Sequence, residues 1–433
     1  MKVGFISLGC SKNLVDTEMC IGLFQKNNFT IVNEAEEADI IVVNTCGFIE
    51  SAKQEAINTI LEMAEYKKQK CRYLIVMGCL VQRYQEELKK ELPEVDLFLK
   101  IDEYQNIWEK ISKLIKTKQH NCQNLQYTNR VISTGNTTAY LKIAEGCSNY
   151  CTYCAIPYIR GNYVSRPWEE VIEEARELAS KGIKELIVIA QDTTKYGIDL
   201  YGKSRLAELL DSLSKIEGIQ WVRFLYAYPE SITDELIQTV KKSTKICHYF
   251  DIPIQHISNI VLKRMNRKTN QERIIKLIKK IREEIPDVTI RTSLIVGFPG
   301  ETNQDFMELA EFVQKTKFDK LGVFMYSKED GTPAEKLPNQ VHTNTKKARH
   351  KRIMKIQQEI SKQNLKNKIG KVYCTLVESL TEDKQFYIGR TYADVPDMDG
   401  VVFIKSSEEL QLGEFVDCKI TEVAEYDLIG EVN

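Results

Sequence analysis

The N-terminal part of the chain alternates continuous apolar runs with segments whose apolar side chains recur at helical spacing. The apolar runs are VGFISLGC, DIIVVNTC and YLIVMGC. Between them, NLVDTEMCIGLFQKN and SAKQEAINTILEMAEYKK are predicted to be helices. A strand that is apolar at every position is buried on both faces, which is typical of parallel strands covered by helices. Residues 1–117 are therefore predicted to form an open parallel α/β domain.

A polar stretch without a hydrophobic period, 117–138, is predicted to be a linker. It is followed by a strand-helix pattern that repeats six times between residues 139 and 327. The strands of this pattern are AYLKIAEG, ELIVIAQD, WVRFLYAY, HYFDIPIQ, TIRTSLIVGF and KLGVFMYS. Amphipathic segments such as WEEVIEEARELASKG lie between them. Six such units predict a partial (β/α)6 barrel of the TIM-like kind, whose active site belongs on the loops that follow the strands.

The C-terminal part changes its pattern again. Residues 343–368 are predicted to form a helix with nine Lys or Arg residues against Glu359 alone. From residue 369 onward, short stretches alternate apolar and polar positions between turn signals. That pattern predicts a small antiparallel β-barrel of the OB-like kind. The predicted fold class is therefore α/β with a C-terminal β-barrel.

The length of 433 residues exceeds what one hydrophobic core normally supports. We divide the chain into three domains, at 1–117, 133–363 and 366–433. The start, MKVGFISLGC, is predicted to be a strand rather than a signal peptide, and no apolar run approaches the roughly 18 residues of a membrane span. With twelve cysteines and no secretory signal, we expect a cytoplasmic protein whose cysteines bind metal or act in catalysis.

The distribution of charge is more informative than its sum. Lys and Arg number 60 against 61 Asp and Glu, so the net charge of -1 indicates neither a nucleic-acid nor a membrane partner. From residue 369 onward, fourteen Asp or Glu residues face five Lys or Arg residues, a net of about -9. Surfaces that bind RNA are basic, so an acidic barrel around Asp394, Asp397 and Asp399 is expected to bind a basic protein. The basic helix before the barrel points towards RNA instead, so charge leaves both substrates open.

The cysteine spacing after the first barrel strand carries the strongest chemical signal. Cys147, Cys151 and Cys154 stand at C-x3-C-x2-C spacing. Three thiolates in one loop can ligate three irons of a 4Fe-4S cube and leave the fourth iron open to a small molecule. A structural zinc site is one alternative, and inert buried cysteines are another. The nearest further zinc ligands in sequence are Cys122, Cys247, His120 and His248.

A second set of cysteines is spread over the N-terminal domain. Cys10, Cys46 and Cys79 each follow a predicted strand at its carboxyl end. Because the carboxyl ends of parallel strands share one edge of the sheet, these three thiols are predicted to converge and to form a second three-thiolate site. Each one alone is equally consistent with a buried apolar residue. The cysteines without such a pattern, expected to be packing residues or free thiols, are Cys20, Cys71, Cys122, Cys247, Cys374 and Cys418.

Several segments together resemble the methylthiotransferase family of radical S-adenosylmethionine (SAM) enzymes, and the resemblance covers essentially the whole chain. These segments are SLGCSKNLVDTE, VNTCGFIESAK, GCSNYCTYCAIPYIRG, IAQDTTKYG, DIPIQHIS and RTSLIVGFPGET. The chain looks most like the branch that adds a methylthio group to the β-carbon of an aspartate in ribosomal protein S-twelve. Gly47-Phe48-Ile49 and Gln191-Asp192-Thr193 stand where the tRNA-modifying branch tends to have other residues. Ser11 departs from the pattern, since proline is common there.

The resemblance implies a domain with three cysteines, a radical SAM core and a C-terminal TRAM domain. It also implies two 4Fe-4S clusters and SAM as cofactors. Cys147, Cys151 and Cys154 correspond to the ligands of the radical SAM cluster, and Cys10, Cys46 and Cys79 to those of an auxiliary cluster that carries the sulfur.

Three further residues are assigned to SAM by the resemblance. Tyr153 is expected near the adenine, Gln191 is expected to contact SAM, and Gly297 is expected to allow close approach of the backbone. The alternatives are a core aromatic for Tyr153, a residue that only shapes its loop for Gln191, and an ordinary turn for Gly297. The sequence assigns no catalytic acid or base.

The partners implied are ribosomal protein S-twelve, free or on the small ribosomal subunit, an electron donor such as flavodoxin or ferredoxin, and a sulfur donor. A tRNA adenosine methylthiotransferase is the nearest alternative function. A non-catalytic iron-sulfur electron carrier or ribosome-binding module is an alternative of another class. Electron carriers normally ligate all four irons with protein side chains, so two sets that stop at three cysteines favour catalysis.

Overall fold

The N-terminal domain contains a five-stranded sheet in the computed structural model, which describes residues 1–118, 121 and 124–432. Its strands are β1 (Lys2–Ser7), β2 (Thr30–Val32), β3 (Ile40–Thr45), β4 (Tyr73–Gly78) and β5 (Leu97–Leu99). Its helices are α1 (Ser11–Lys26), α2 (Glu50–Glu65), α3 (Cys79–Glu91) and α4 (Ile107–Ile115). All neighbouring strands are parallel, in the order β2-β1-β3-β4-β5. The predicted parallel α/β architecture is confirmed.

The central strands are apolar at nearly every position because helices cover both faces of the sheet. On one face, Ile41 and Val76 pack in a core with α2 and α3. On the other face, Val42 and Met77 pack in a core with α1 and α4. The strand order is that of a doubly wound sheet, whose ligands bind beyond the carboxyl ends of the strands. β2 and β5 have three residues each, which is too short for a recognisable hydrophobic pattern, and the sequence did not predict them.

The middle of the chain forms a curved array of six parallel strands. These are β6 (Thr138–Lys142), β9 (Glu185–Ile189), β10 (Trp221–Phe224), β11 (Tyr249–Asp251), β12 (Thr289–Val296) and β13 (Lys320–Met325). Two further strands, β7 (Ala144–Glu145) and β8 (Val164–Ser165), pair around the cysteine loop. The parallel bridge between Val222 and Ile246 joins the two halves of the array. The predicted partial barrel is confirmed.

Helices cover the outer face of this array. The helices of this part of the chain are α5 (Ile156–Arg160), α6 (Trp168–Ser180), α7 (Ile198–Tyr201), α8 (Leu206–Ser214), α9 (Asp234–Lys242), α10 (Asn259–Arg264), α11 (Gln271–Glu284), α12 (Asn303–Thr316) and α13 (Thr343–Lys366). The short α5 packs against α3 of the N-terminal domain instead of on the outer face. Outward side chains such as Leu141 and Val188 belong to the large core beneath these helices. Among the described residues, no helix combines the length and the apolar character that crossing a membrane requires.

The inner face of the array is covered by the N-terminal domain rather than by a closed barrel wall. Inward side chains such as Tyr140, Ile187 and Trp221 pack in one cluster with Val15 and Met19 of α1. Six strands leave the barrel open, so its apolar inner face needs such a cover. Helix α1 of one domain therefore forms part of the core of the next.

The C-terminal domain is a closed five-stranded barrel. Its strands are β14 (Val372–Leu380), β15 (Tyr387–Thr391), β16 (Val402–Ser406), β17 (Phe415–Val423) and β18 (Leu428–Val432), and the order around the barrel is β14-β15-β16-β18-β17. Four neighbouring pairs are antiparallel, but β16 and β18 are parallel. An odd number of strands cannot alternate direction all the way around a ring, so the purely antiparallel barrel predicted from the sequence needs this correction.

This small barrel docks beneath the six-stranded array, where the strands begin. Arg390 of β15 is 1% exposed, and its Nη2 donates to Glu185 Oε2 at 2.6 Å at the start of β9. Arg223 of β10 donates through Nη1 to the backbone oxygen of Tyr392 at 2.6 Å. Buried charge pairs of this kind fix one orientation of the two domains, because a charge left without its partner there is costly.

Two of the acids expected to form a binding surface hold this interface instead. Asp394 is 4% exposed and accepts a hydrogen bond from Lys320 Nζ at 2.8 Å. Asp399 accepts a hydrogen bond from the Tyr249 hydroxyl at 2.7 Å. Asp397 alone of the three is exposed. The expectation of an acidic surface around these residues is therefore wrong, because an acidic composition does not reveal which carboxylates are paired with the core.

Two basic side chains of helix α13 are bound to other parts of the protein. Arg349 is buried and pairs with Glu301 at 3.1 Å. Lys346 Nζ donates to the backbone oxygen of Tyr326 at 2.8 Å. Both cations face the end of the array where the strands finish, so they are not free to bind phosphates.

Candidate cluster and SAM site

The two cysteine sets lie at one junction between the N-terminal domain and the six-stranded array. Helix α3 begins at Cys79, and the Cys79 side chain packs in one small cluster with Ala155 and Ile159. Ala155 directly follows Cys154 in the chain. The loop of Cys147, Cys151 and Cys154 and the edge of Cys10, Cys46 and Cys79 therefore face each other across a short apolar contact.

The loop of the first set is held by backbone contacts on both sides. The Cys147 N–H donates to the Gly161 oxygen at 3.0 Å, and the Thr152 N–H donates to the Met265 oxygen at 3.1 Å. At Gly146, φ is +72° and a Cβ would lie 2.1 Å from the Asn162 oxygen. Only glycine tolerates both the left-handed backbone and this close approach. The loop geometry is thus fixed before any ligand binds.

The second set is tied together by Asn13 in the first turn of α1. Its Nδ2 donates to the backbone oxygens of Leu8 and Thr45, each at 3.0 Å, and its Oδ1 lies 3.4 Å from the Cys79 sulfur. Asn13 therefore links the loops that follow β1, β3 and β4. A Cβ at Gly9 would lie 2.6 Å from Cβ of Cys46, so the glycine permits the approach of the neighbouring cysteine loop.

Burial and charge give the thiols different acidities. Desolvation raises the pKa of Cys46 to about 12 and that of Cys147 to about 11. Desolvation acts to raise the pKa of Cys10 too, but Lys12 and Arg160 bring that pKa below its ordinary value. Thiols with raised pKa values become thiolate ligands when a metal supplies the compensating charge.

The residues assigned to SAM by resemblance lie around the mouth of the array. Gln191 donates through Nε2 to Glu145 Oε1 at 3.1 Å, while its own Oε1 is buried and has no partner among the described residues. The Tyr153 ring packs edge-on against Phe298, with centroids 6.5 Å apart. The structure thus places Gln191 beside the first cysteine loop and Tyr153 in an aromatic contact next to Gly297.

Gly297 follows β12 with φ of +73°. The space of a Cβ there is already filled, because it would lie 2.3 Å from Cγ of Lys346. The close approach at this glycine is therefore made by the stem of a lysine from α13.

Sequence reasoning missed a polar group beside Cys151. Arg267 Nη1 lies 3.9 Å from the Cys151 sulfur, and its guanidinium lies 4.1 Å from the centre of the Tyr228 ring. The Tyr228 hydroxyl lies 3.5 Å from the same sulfur. Tyr228 and Glu230 stand just after a barrel strand, so their position was a usable signal. Arg267 follows a helix, so its position in the sequence gives no such signal.

Buried polar atoms near this loop lack partners. Among the described residues, Gln191 Oε1, Glu230 Oε2 and Arg267 Nε are buried without a hydrogen bond. Glu230 Oε2 also lies 3.6 Å from Arg267 Nη2, which is too long for a hydrogen bond. Buried polar groups are normally satisfied, so these atoms call for a polar ligand. With three thiols alongside, the donor set fits a cluster bound by three cysteines together with a small molecule that carries both charge signs.

A structural zinc site would need a further ligand beside the three cysteines of the loop. Within the part of the chain that the structure describes, no three His, Cys, Asp or Glu side chains converge on a point as one metal ion requires. Three thiolates that bind three different irons of a 4Fe-4S cube lie further apart than three ligands of one metal ion. Cys247 and His248 lie just before β11, at the opposite end of the array from the cysteine loop, and His120 and Cys122 lie outside the described residues.

The remaining cysteines behave as packing residues or free thiols where they are described. Cys20, Cys71, Cys247 and Cys418 are buried, and Cys374 is exposed.

Comparison with known proteins agrees with this architecture. A model of the Radical SAM superfamily matches residues 141–313, one of the Uncharacterized protein family UPF0004 matches residues 2–100, and one of the TRAM domain matches residues 369–432. "Ribosomal protein uS12 methylthiotransferase RimO" of Alkaliphilus oremlandii is 64% identical over 433 residues, covering 100% of this chain and 99% of the relative. The chain belongs to the RimO family. Relatives with the same name from Acetivibrio thermocellus and Clostridioides difficile are each 52% identical over 100% of this chain, and over 98% and 99% of their own lengths.

Solved structures share the fold at low identity. The radical SAM methyltransferase TsrM from Kitasatospora setae, with cobalamin and a [4Fe-4S] cluster bound, has a TM-score of 0.59 at 12% identity and covers 77% of this chain and 73% of its own. The cobalamin-dependent radical enzyme OxsB, with aqua-cobalamin and SAM bound, has a TM-score of 0.51 at 15% identity, covering 83% and 56%. These neighbours support the fold of this RimO family member and nothing finer.

Glu301 closes the loop that carries Gly297. Its Oε2 accepts hydrogen bonds from the N–H groups of Gly297 and Phe298, the latter at 2.9 Å. Desolvation raises its pKa to about 7, although Arg349 and these two N–H groups oppose the shift. A buried carboxyl group of this kind makes the loop sensitive to pH.

Glu301→Gln is expected to remove part of the pH dependence of stability. The folded-state pKa of about 7 lies above the ordinary 4.5, so the protonated group contributes stability that is full below about pH 4.5 and lost as pH rises through about 7. The contribution is on the order of 1–3 kcal/mol. Thermal unfolding across that range checks it, with the exposed Glu173→Gln as control. Parallel curves for Glu301→Gln and wild type would contradict the assignment.

Proposed function

We propose that this protein is a radical SAM methylthiotransferase that modifies the β-carbon of an aspartate in ribosomal protein uS12, the S-twelve protein of the small subunit. The observation that carries the proposal is the junction of two three-cysteine sets, where Cys79 packs against Ala155 beside Cys154. Relatives that are 52–64% identical over the full length bear the name of this activity. The domain division at 1–117, 133–363 and 366–433 is part of the proposal.

The radical SAM family implies SAM and one 4Fe-4S cluster, for which Cys147, Cys151 and Cys154 are the proposed ligands. A second, auxiliary cluster on Cys10, Cys46 and Cys79 is our further assignment. When bound, the clusters and SAM supply the sulfur and the radical chemistry that an unactivated C–H bond requires, since such a bond offers no acidic proton to a general base.

The side chains around the loop position these groups and exclude water. Arg267 and Tyr228 flank the Cys151 sulfur and shield it from solvent. Glu230 Oε2 and Arg267 Nε are buried without hydrogen bonds to any part of the chain that the structure describes, and they complement the amino and carboxyl groups that SAM carries. Gln191 and Tyr153 line the proposed SAM surface, and Gln191 Oε1 is an acceptor without a partner among the described residues. Gly297 contributes its backbone to this surface beside the Lys346 side chain.

The substrate class rests on the relatives rather than on the charge of the small barrel. The barrel docks where the strands of the array begin, at Glu185 and Lys320, whereas the cysteine loops lie where the strands end. Its exposed carboxylates are therefore remote from the chemistry and are suited at most to a distant part of a large substrate. The exposed carboxylates include Glu382, Asp383, Glu408 and Glu409.

The proposed reaction also needs an external electron donor, such as flavodoxin or ferredoxin, and a sulfur donor. The proposed substrate places the reaction in the cytoplasm.

The metal content is expected to separate the two cysteine sets. Anaerobically reconstituted wild type should hold about two 4Fe-4S clusters, and Cys147→Ala should lose one and keep the other. Cys46→Ala should retain reductive SAM cleavage but lose methylthio transfer, because the radical SAM loop is intact in that variant. Iron and sulfide analysis with a SAM cleavage assay measures both. One cluster in wild type, or zinc in its place, would contradict the two-site proposal.

The substrate is expected to be the ribosomal protein and not tRNA. Loaded enzyme incubated with SAM, a reductant and sulfide as the sulfur donor should add a methylthio group to an aspartate of uS12, supplied free or on small subunits, as read by mass spectrometry of the digested protein. Cys46→Ala is the matched control and should leave uS12 unchanged. Modification of a tRNA adenosine with unmodified uS12 would establish the tRNA alternative. Loaded enzyme that never cleaves SAM would favour an electron carrier.

A further inference from the structure

We propose that Arg160 of the radical SAM core is a positioning residue for the auxiliary cluster, supplying a fixed positive charge beside Cys10, Cys46 and Cys79 from across the domain interface. The inference rests on the proposed function, because it assumes that these cysteines hold a cluster. It goes beyond that function by making the auxiliary site incomplete without the neighbouring domain.

Arg160 reaches the second cysteine set from the loop of the first. It ends α5, which begins two residues after Cys154, and its side chain is 1% exposed. Helix α5 packs against α3 through Ala155, Ile159 and Cys79. One short helix therefore runs from a proposed ligand of one cluster to the ligand edge of the other.

The guanidinium of Arg160 is linked to the Cys79 thiol through Asn13. Nη2 donates to Asn13 Oδ1 at 2.5 Å, and the same Oδ1 lies 3.4 Å from the Cys79 sulfur. Desolvation acts to raise the pKa of Cys79, Cys10 and Cys46, and the positive charge of Arg160 acts in opposition to lower it. Asn13 and Arg160 thus form one polar wall of the auxiliary site, with one residue from each domain.

The surrounding charges balance without any cluster. Arg160 donates to Asp16 Oδ2 at 2.9 Å and to Glu145 Oε1 at 2.9 Å. Lys142 pairs with the same two carboxylates. These two cations and two anions form a neutral group in which the Arg160 guanidinium, through its contact with Asn13, lies on the side of the thiols. Lys12 is a further cation near Cys10.

Of the three thiols, Cys79 is buried, Cys46 is half-buried and Cys10 is exposed. A negative cluster that is partly removed from water is stabilised by nearby positive charge, because an uncompensated charge away from water is costly. Lys12 Nζ lies 3.2 Å from the centre of the Tyr226 ring and makes a cation–π interaction with that ring. Arg160 is held rigidly by both of its amino groups and cannot be deprotonated. Reduction makes the cluster more negative, so a fixed cation beside the thiolates favours the reduced state and raises the reduction potential.

The alternative role for Arg160 is purely structural, namely to neutralise Asp16 and Glu145. A structural role alone would change folding or stability without shifting the potential of a cluster that does assemble. The potential therefore separates the two roles.

The test uses the full chain with Cys147, Cys151 and Cys154 replaced by Ala, so that only the auxiliary cluster contributes a signal. In this background, EPR-monitored redox titration and iron content are compared for Arg160, Arg160→Met and Arg160→Lys. Arg349→Met, which removes another buried arginine from a carboxylate partner, is the matched control. We expect Arg160→Met to shift the midpoint potential to a more negative value, Arg160→Lys to restore most of the shift, and the control to leave the potential unchanged.

Arg160→Met leaves the carboxylates of Asp16 and Glu145 with one cation, Lys142. A double variant, Arg160→Met/Glu145→Gln, is therefore measured beside it, because it removes one carboxylate as well and keeps the Lys142–Asp16 ion pair. A folded Met variant that loses its cluster while the Lys variant keeps it also supports the inference. Met and double variants that load with the wild-type potential would overturn it, as would a Lys variant that fails in the same way as the Met variant. Absence of the auxiliary signal with Arg160 in place would instead refute the two-cluster proposal.

Discussion

The packing of helix α1 against the open face of the six-stranded array holds the N-terminal domain, the array and the two cysteine sets in one arrangement. The array does not close, so its apolar inner face must be covered, and Val15 and Met19 cover it. The apolar contact alone would allow the helix to slide. Buried ion pairs from Asp16 to Lys142 and Arg160 fix its position, because a shift would leave these charges unpaired away from water. Cys10 is the residue immediately before α1, so the same packing places Cys10 near the mouth of the array.

The two ends of the barrel strands contact different parts of the protein. Where they begin, inward charges such as Glu185 and Arg223 bind the C-terminal barrel through buried pairs. Where they finish, the loops carry the cysteines and the unsatisfied polar atoms of Glu230 and Arg267. The chain thus separates a stabilising interface from a reactive one along a single set of strands, as parallel α/β folds generally do. This separation explains why the charge of the small barrel says little about the chemistry.

Much of this arrangement could be predicted from sequence because it follows from local rules. Apolar runs and helical spacing gave the strand-helix alternation, and strand ends placed all six cysteine positions at the edge where ligands bind. Other features depend on contacts between residues far apart in the chain. Arg160 donates hydrogen bonds to Asn13 and Asp16 across a domain boundary, and no local sequence pattern predicts these contacts. Asp394 was misassigned for the same reason, since its partner Lys320 lies in another domain. The three-residue strands were too short to show a period.

Clusters on both three-cysteine sets would lie close together at the junction of the N-terminal domain and the six-stranded array, and magnetic interaction between them is a direct test of this arrangement. The EPR spectrum of reduced wild type is compared with those of Cys147→Ala and Cys46→Ala, each of which retains one cluster. Since Cys79 packs against the residue that follows Cys154, we expect the wild-type spectrum to be broadened by coupling and to differ from the sum of the two single-cluster spectra. A wild-type spectrum equal to that sum would show magnetically isolated clusters and contradict the account.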